Sequence, residues 1–297
     1  MGAHTIEGEL LPVAATLDIP IVEVSGLTIA VREGVEYLVA VGDDGADFAW
    51  ARLTDGRPGQ WRVADLASLL ATAQAPTDQL EAVCTDPAGR LIVAQEEPSR
   101  LFVLDTDADT LVATLTLDAT TDAFLAPVWD AAANSRAESA VLLPGGRVLV
   151  VKEKRPICLA VFGPREDFDP PTLDLVGAAS MTGPWGGVDV GTTTRLAAQA
   201  SWPAGKRLER LGDVSDATLG PDGALYLLSD QGSAIARVAE LREPGSKVRL
   251  THVWPIAGRP VKCEGLAFAA DGTCFVGIDT RKPTANLLVI QAPAFSL

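Results

Sequence analysis

The chain has 297 residues, 47% of them hydrophobic, and carries 24 basic against 39 acidic side chains, a net charge of −15. This length holds apolar material for one large domain or two small ones, and the acidity, with a pI near 4.5, argues against nucleic acid or an anionic membrane as partner. No apolar run reaches the roughly 18 residues of a membrane helix. The opening MGAHTIEGEL has neither the basic start nor the apolar core of a secretory signal, so the chain as given reads as cytoplasmic, or as periplasmic had a leader been removed.

Taken in order, the sequence is a succession of β-like runs. The first, ELLPVAATLDIPIVEV, has no hairpin partner of its own. A hairpin follows in EVSGLTIAVREGVEYLVAVGDDG, then strands at 48–53 and 60–63 and a short helix over 64–73. The second hairpin, EAVCTDPAGRLIVAQEEP, leads to strands at 101–105 and 111–117 and a long loop, 118–136. The third, ESAVLLPGGRVLVVKEKRP, leads to a strand at 157–162, a turn-rich excursion over 163–191 and a strand near 192–202. The fourth, DVSDATLGPDGALYLLSDQG, precedes strands at 233–238 and 248–254; the fifth, CEGLAFAADGTCFVGIDTRKP, precedes only one, at 286–290.

The hairpins repeat position by position. Eight residues before the turn glycines Gly89, Gly146 and Gly272 stand Glu81, Glu138 and Glu264; seven after them stand Glu96, Glu153 and Asp279. In the fourth copy, around Gly223, the earlier place is Ser215, with Asp213 two residues upstream; in the first, around Gly34, its counterpart Ser25 stands nine residues before the glycine, with Glu23 two residues upstream; the later acids are Asp43 and Asp230. Five copies of strand, turn, strand and terminal acid, each with outer strands behind it, predict an all-β fold: a β-propeller, a ring of four-stranded antiparallel sheets around a central channel, occupying residues 1–297 as one domain. Residues 9–19 are expected to complete the last sheet and close the ring, leaving no open edge. The acids Glu23, Glu81, Glu138, Asp213 and Glu264 are separated by 58, 57, 75 and 51 residues. The long gap is too small for an extra blade at about 40–50 residues per repeat, so five blades are expected, with six as the alternative if the excursion holds a degenerate one.

This repeat places Glu23, Glu81, Glu138, Asp213 and Glu264 in an inner ring, with Asp43, Glu96, Glu153, Asp230 and Asp279 just outside it. Like charges this close raise one another's pKa unless a cation compensates. An all-oxygen donor set suits Ca²⁺ first and Mg²⁺ or Mn²⁺ next. The competing role for any single acid is to cap a strand end. The basic residues Arg100, Lys152, Lys154, Arg155, Arg281 and Lys282 follow the later acids; they serve either as ion-pair partners or, with Glu153 and Asp279, as binders of a small anion beside the metal. With only His4 and His252, a three-histidine zinc centre within one chain is excluded. Cys84, Cys158, Cys263 and Cys274 have no CxxC spacing and read as reduced, buried thiols.

The ordered set EVSGL, LEAV, AESAV, DVSDA and CEGLAF, alternating with GDDG, AQEEPSRLFVLD, VKEKRP, LLSDQG and GIDTRKP, resembles the SdiA-regulated family of bacterial β-propellers and, more distantly, phytase-like and gluconolactonase-like propellers, over about residues 20–292. The resemblance implies a calcium-type site in the central channel. Ala82, Ser139 and Asp216 depart from it, standing where that family usually has glycine.

Three functions fit these readings. The first is a metal-dependent hydrolase of phosphoesters or lactones, with Asp43, Glu97 or Asp230 as general base. The second is a non-catalytic propeller with a structural ion whose rim binds a small anion or another protein. The third is a glycosidase using two of the carboxylates.

Overall fold

A computed structural model of the chain describes residues 8–86, 89–105, 107–129, 131, 135–143, 146–154, 156–164, 193–291 and 295. Arg155 and all but the first two residues of the 163–191 excursion lie outside them. Among the described residues the strands group into five four-stranded units, and the fold is a β-propeller. Unit one holds β2 (Val24–Arg32), β3 (Val35–Gly42), β4 (Asp47–Thr54) and β5 (Arg57–Asp65). Unit two holds β6 (Leu80–Thr85), β7 (Leu91–Gln95), β8 (Arg100–Leu104) and β9 (Leu111–Asp118), and unit three β10 (Ser139–Leu143), β11 (Arg147–Lys152), β12 (Cys158–Gly163) and β13 (Thr193–Pro203). Unit four holds β14 (Asp216–Leu219), β15 (Leu225–Ser229), β16 (Ala234–Val238) and β17 (Leu250–Pro255). Unit five joins β18 (Cys263–Phe268), β19 (Cys274–Ile278) and β20 (Leu287–Ile290) to β1 (Ala15–Leu17) from the start of the chain.

The local chemistry explains the repeat. Every first hairpin turns at a glycine in the left-handed region: Gly34, Gly89, Gly146, Gly223 and Gly272 have φ between +71° and +86°. A side chain there would be strained, so glycine marks each turn in the sequence. The first strands then line up around the centre, β2 against β6 and β18, β10 between β6 and β14, and β14 against β18. Each seam between neighbouring units is filled by its own buried cluster. Ala140, Val150 and Phe162 meet Ile92 and Leu101 between units two and three; Leu27 and Leu38 meet Phe275 and Val289 between units one and five.

Close approach of the first strands decides what stands after each inner position. A Cβ on Gly26 would lie 2.8 Å from the Ala82 Cα, and one on Gly265 2.7 Å from the Leu27 Cγ. Around the rest of the ring, the non-glycine residues bridge the seams. Ser139 Oγ donates to the Ala217 carbonyl and accepts from its amide, both at 3.0 Å, and the buried Asp216 carboxyl accepts from the amides of Leu266 at 2.6 Å and Ala217 at 2.7 Å.

Four features differ from the sequence-based expectations. The helix expected over 64–73 spans Ala67–Thr72 (α1), and the 118–136 loop contains a short helix, Ala126–Trp129 (α2), whose Trp129 packs 5.3 Å from Phe162. A third helix, Lys206–Leu211 (α3), buries Leu208 and Leu211 where no helix was expected. Finally, β13 pairs in parallel with β9, so the outer edges of units two and three are joined into one eight-stranded sheet, which protects both edges.

The N-terminal segment expected to complete the last sheet over 9–19 pairs as a strand over Ala15–Leu17, antiparallel to β20. Ahead of it, Leu11 exchanges backbone bonds with Pro255 and Ala257 of unit four, so the segment fastens two neighbouring units. The buried Asn286 side chain accepts from the Ile19 amide at 2.7 Å and donates to the carbonyls of Ile19 and Ile21 at 3.0 Å each. All four cysteines are free and buried.

Candidate functional site

Five equivalent residues, Ser25, Glu81, Glu138, Ser215 and Glu264, open the inner strands at one mouth of the channel. The pairing register skips Ser25, Glu81 and Glu264, leaving each as an extra residue. The amides of Glu138 and Ser215 bond to the Val151 and Leu228 carbonyls, whose residues already face Ser139 and Asp216. Such bulges re-aim the side chain they insert.

The two serines tie units together. Ser25 Oγ donates to the Leu80 carbonyl and Ser215 Oγ to that of Cys263 at 2.5 Å, the residues just before Glu81 and Glu264. The inner acids thus number three in equivalent places, Glu81, Glu138 and Glu264. Glu23 and Asp213 are committed elsewhere: Glu23 pairs with Arg281 at 3.2 Å, and Asp213 accepts from Ser229 Oγ at 2.6 Å and from the Gln231 amide at 3.1 Å. The bulge puts serine rather than the upstream acid in the place equivalent to those glutamates.

The later acids hold the start of the next unit. Asp43 accepts from the Gln79 amide at 3.1 Å, Glu96 from the Arg136 amide at 3.0 Å, and Asp230 from the amides of Lys262 and, at 3.2 Å, Cys263. Gln79, Arg136 and Lys262 each stand two residues before an inner glutamate. Glu153 instead pairs with the Lys154 ammonium at 2.7 Å, and Asp279 with that of Lys262.

Burial and mutual repulsion dominate the electrostatics. Burial first, then the charges of Asp43, Glu96, Glu264 and Glu153, push Glu81 up to about 9. Glu264 rises to about 8 through burial and the charges of Asp230, Glu153 and Asp279. Glu138 is held well above the usual carboxylate range by burial and by Glu81, Glu153 and Glu96. Burial lifts Glu96 to about 7, against the stabilising bonds from Glu138 and the Arg136 amide. Asp43, Glu153 and Asp213 are also raised, chiefly by burial. Glu96 and Glu138 are hydrogen-bonded to each other, which requires a proton between them. Among the described residues, no donor meets the carboxyl group of Glu81 or Glu264.

The basic residues are less convergent. Lys152 is fully buried and donates to Ser135 Oγ and the Lys154 carbonyl, both at 2.9 Å, so it anchors a loop; burial lowers its pKa. Arg100 is half-buried at the start of β8 and Arg281 is solvent-exposed. Glu97 is exposed, 3.7 Å from the Arg136 guanidinium. Of the basic groups that stand beside carboxylates, Lys154 and Arg281 were expected, whereas Lys262 and Arg136 went unremarked in the sequence, although each lies two residues before an inner glutamate.

The donor chemistry fits a hard cation, since the gathered side chains offer only oxygen. The spacing is open: among the described residues no three His, Cys, Asp or Glu side chains are grouped tightly enough to hold one metal ion.

No protein-family model matches the chain, so the resemblance to the SdiA-regulated family is without such a match, and no curated protein is significantly similar to it. Solved structures similar to it include virginiamycin B lyase from Staphylococcus aureus, at 11% identity and a TM-score of 0.41 over 94% of this chain and 74% of that one. A calcium-binding regucalcin from Agrobacterium tumefaciens matches at 14% identity and 0.40 over 92% and 73%. The PQQ-bound aldose sugar dehydrogenase of Streptomyces coelicolor matches at 10% identity and 0.47 over 94% and 97%.

Proposed function

We propose that this mouth binds a divalent cation, calcium before magnesium or manganese, through Glu81, Glu138 and Glu264, whose side chains close in on the ion from the open spacing seen here, and that the protein hydrolyses a small anionic phosphoester or lactone there, with the five units as the whole ring. The observation carrying the reading is the crowding of carboxyl groups: three glutamates in equivalent places, Glu138 buried and Glu81 and Glu264 half-buried, raise one another's pKa, and two of them have no donor. A bound Ca²⁺ would supply Lewis-acid polarisation of a phosphoryl or lactone oxygen. The chain's own residues supply the rest. The hydrogen-bonded Glu96 and Glu138 take up or return a proton near neutral pH. Lys262 and Arg281 place positive charge on the rim, where an anion approaches. Asp43 and Asp230, expected as bases, act here as backbone acceptors, and Glu97 faces solvent beside Arg136; Glu96 therefore takes the proton-transfer role.

Calorimetric titration of chelator-treated protein with Ca²⁺ tests this directly. Saturable binding is expected, weakened at least tenfold in Glu81→Gln and in Glu264→Gln. No heat with Ca²⁺, Mg²⁺ or Mn²⁺ refutes the cation site and leaves a scaffold whose carboxyl groups are held protonated.

A further inference from the structure

At the end of unit one away from the acidic mouth, a groove of about 1090 Å³ opens between unit one and the β8–β9 turn of unit two. Strand β3 runs from Val35 at this groove to Gly42 beside Asp43, so the two places are about 25 Å apart at ~3.3 Å per residue. The groove is independent of the carboxylates.

Its wall is one face of unit one, built by alternation. Tyr37 faces Arg52 across β3 and β4, and Trp50 faces Arg62 across β4 and β5. Arg52 stands two residues after Trp50, so both pairs share a face, and directly opposed side chains lie about 5 Å apart at Cβ. Arg32 completes the set, its guanidinium 5.7 Å from the Tyr37 ring centroid. Three guanidinium groups and two half-buried rings therefore line one groove.

Two of the three charges are uncommitted, which is unexpected in a chain with fifteen surplus acids. Arg52 and Arg62 are exposed and have no ion pair among the described residues. Arg32 reaches Asp107 only at 3.6 Å, with that carboxylate largely in solvent, and its Nε is buried without a partner. Against the three cations the groove sets Glu33 and Asp107. Guanidinium groups bind carboxylate or phosphate through a planar fork and also stack on aromatic faces, so this lining selects both features in one ligand.

We propose that this groove is a second binding site, for a small aromatic anion: a ring stacked against Trp50 and Tyr37, with a phosphate or carboxylate held by Arg52 and Arg62. Charge alone or a ring alone satisfies half of the lining.

The test titrates the full chain, in chelator, with phenyl phosphate, benzoate, inorganic phosphate and benzyl alcohol. Phenyl phosphate or benzoate is expected to bind at least tenfold more tightly than inorganic phosphate and benzyl alcohol. The Arg52→Ala/Arg62→Ala double variant, altered only at exposed positions, is expected to lose at least tenfold of that affinity, and Trp50→Leu a similar amount. Glu81→Gln leaves it unchanged, which separates this groove from the mouth. Binding that survives the double variant, inorganic phosphate matching phenyl phosphate, or no probe bound at millimolar concentration would each overturn the proposal.

Discussion

Glu81 and Glu264 are the residues at which the fold works against itself. Their folded pKa values, about 9 and about 8, lie above the ordinary value of a glutamate, so between roughly pH 4.5 and 9 the native state holds protons that the unfolded chain releases. Stability therefore falls as pH rises through this window when no cation is present. In chelator, the melting temperature is expected to drop steadily from pH 5 to pH 9, and Glu81→Gln to melt about 2–4 °C above the parent at pH 8, which corresponds to about 1 kcal/mol. Thermal scans at stepped pH decide the matter: a profile flat in chelator, or one that Glu81→Gln leaves unchanged, removes the repulsion from the argument. The same scale shows where the sequence was misleading. Spacing identified the place eight residues before the turn, or nine in unit one, and in two units that place holds serine. Taking Glu23 and Asp213 as substitutes assumed that an acid two residues away reaches the same point. A one-residue bulge re-aims only the residue it inserts, so the upstream acids meet Arg281 and Ser229 instead.

Hairpins were the most legible elements, for a local reason. Alternating apolar runs around a left-handed glycine specify strand, turn and register without reference to distant contacts, and all five glycines take that conformation. What local signals omit is the connection between elements. Nothing in β13 announces its parallel pairing to β9, and α3 is a six-residue helix stabilised by burying Leu208 and Leu211 rather than by its own caps. The later acids belong to this scale as well. Asp230 reads from the sequence as a base, whereas its carboxylate joins the end of β15 to the backbone ahead of β18. Asp230→Asn keeps an acceptor oxygen there and Asp230→Ala does not. The alanine variant is expected to lose about 1–2 kcal/mol in urea titrations while the asparagine variant stays within about 0.5 kcal/mol of the parent. Equal losses would show that the charge, not the hydrogen bond, holds the junction.

Over the whole molecule, stability depends on closure of the ring. A ring of sheets with packed seams has no edge to fray from, provided the last sheet is completed, and here β1 completes it from the other end of the chain. Composition and repeat made that closure foreseeable, since the fifth hairpin lacks a strand and the first run lacks a partner. The clamp was not foreseeable, because Asn286 lies 267 residues from Ile19 and only the folded chain brings them together. Its three bonds to Ile19 and Ile21 are buried, so Asn286→Ala leaves two carbonyls and an amide without partners, a loss of about 2–4 kcal/mol. How that loss is expressed distinguishes two kinds of molecule. If the sheets unfold as one cooperative ring, the variant's urea midpoint falls while its slope, set by the surface exposed on unfolding, is unchanged. If β1 instead detaches by itself, the slope falls and β20 amides exchange ahead of those in β7 or β15, which are central in their own sheets. The packing of β20 and Ile21 into the cluster that also holds Leu27 and Phe275 predicts the first outcome, because releasing the N-terminal strand opens the seam between units one and five.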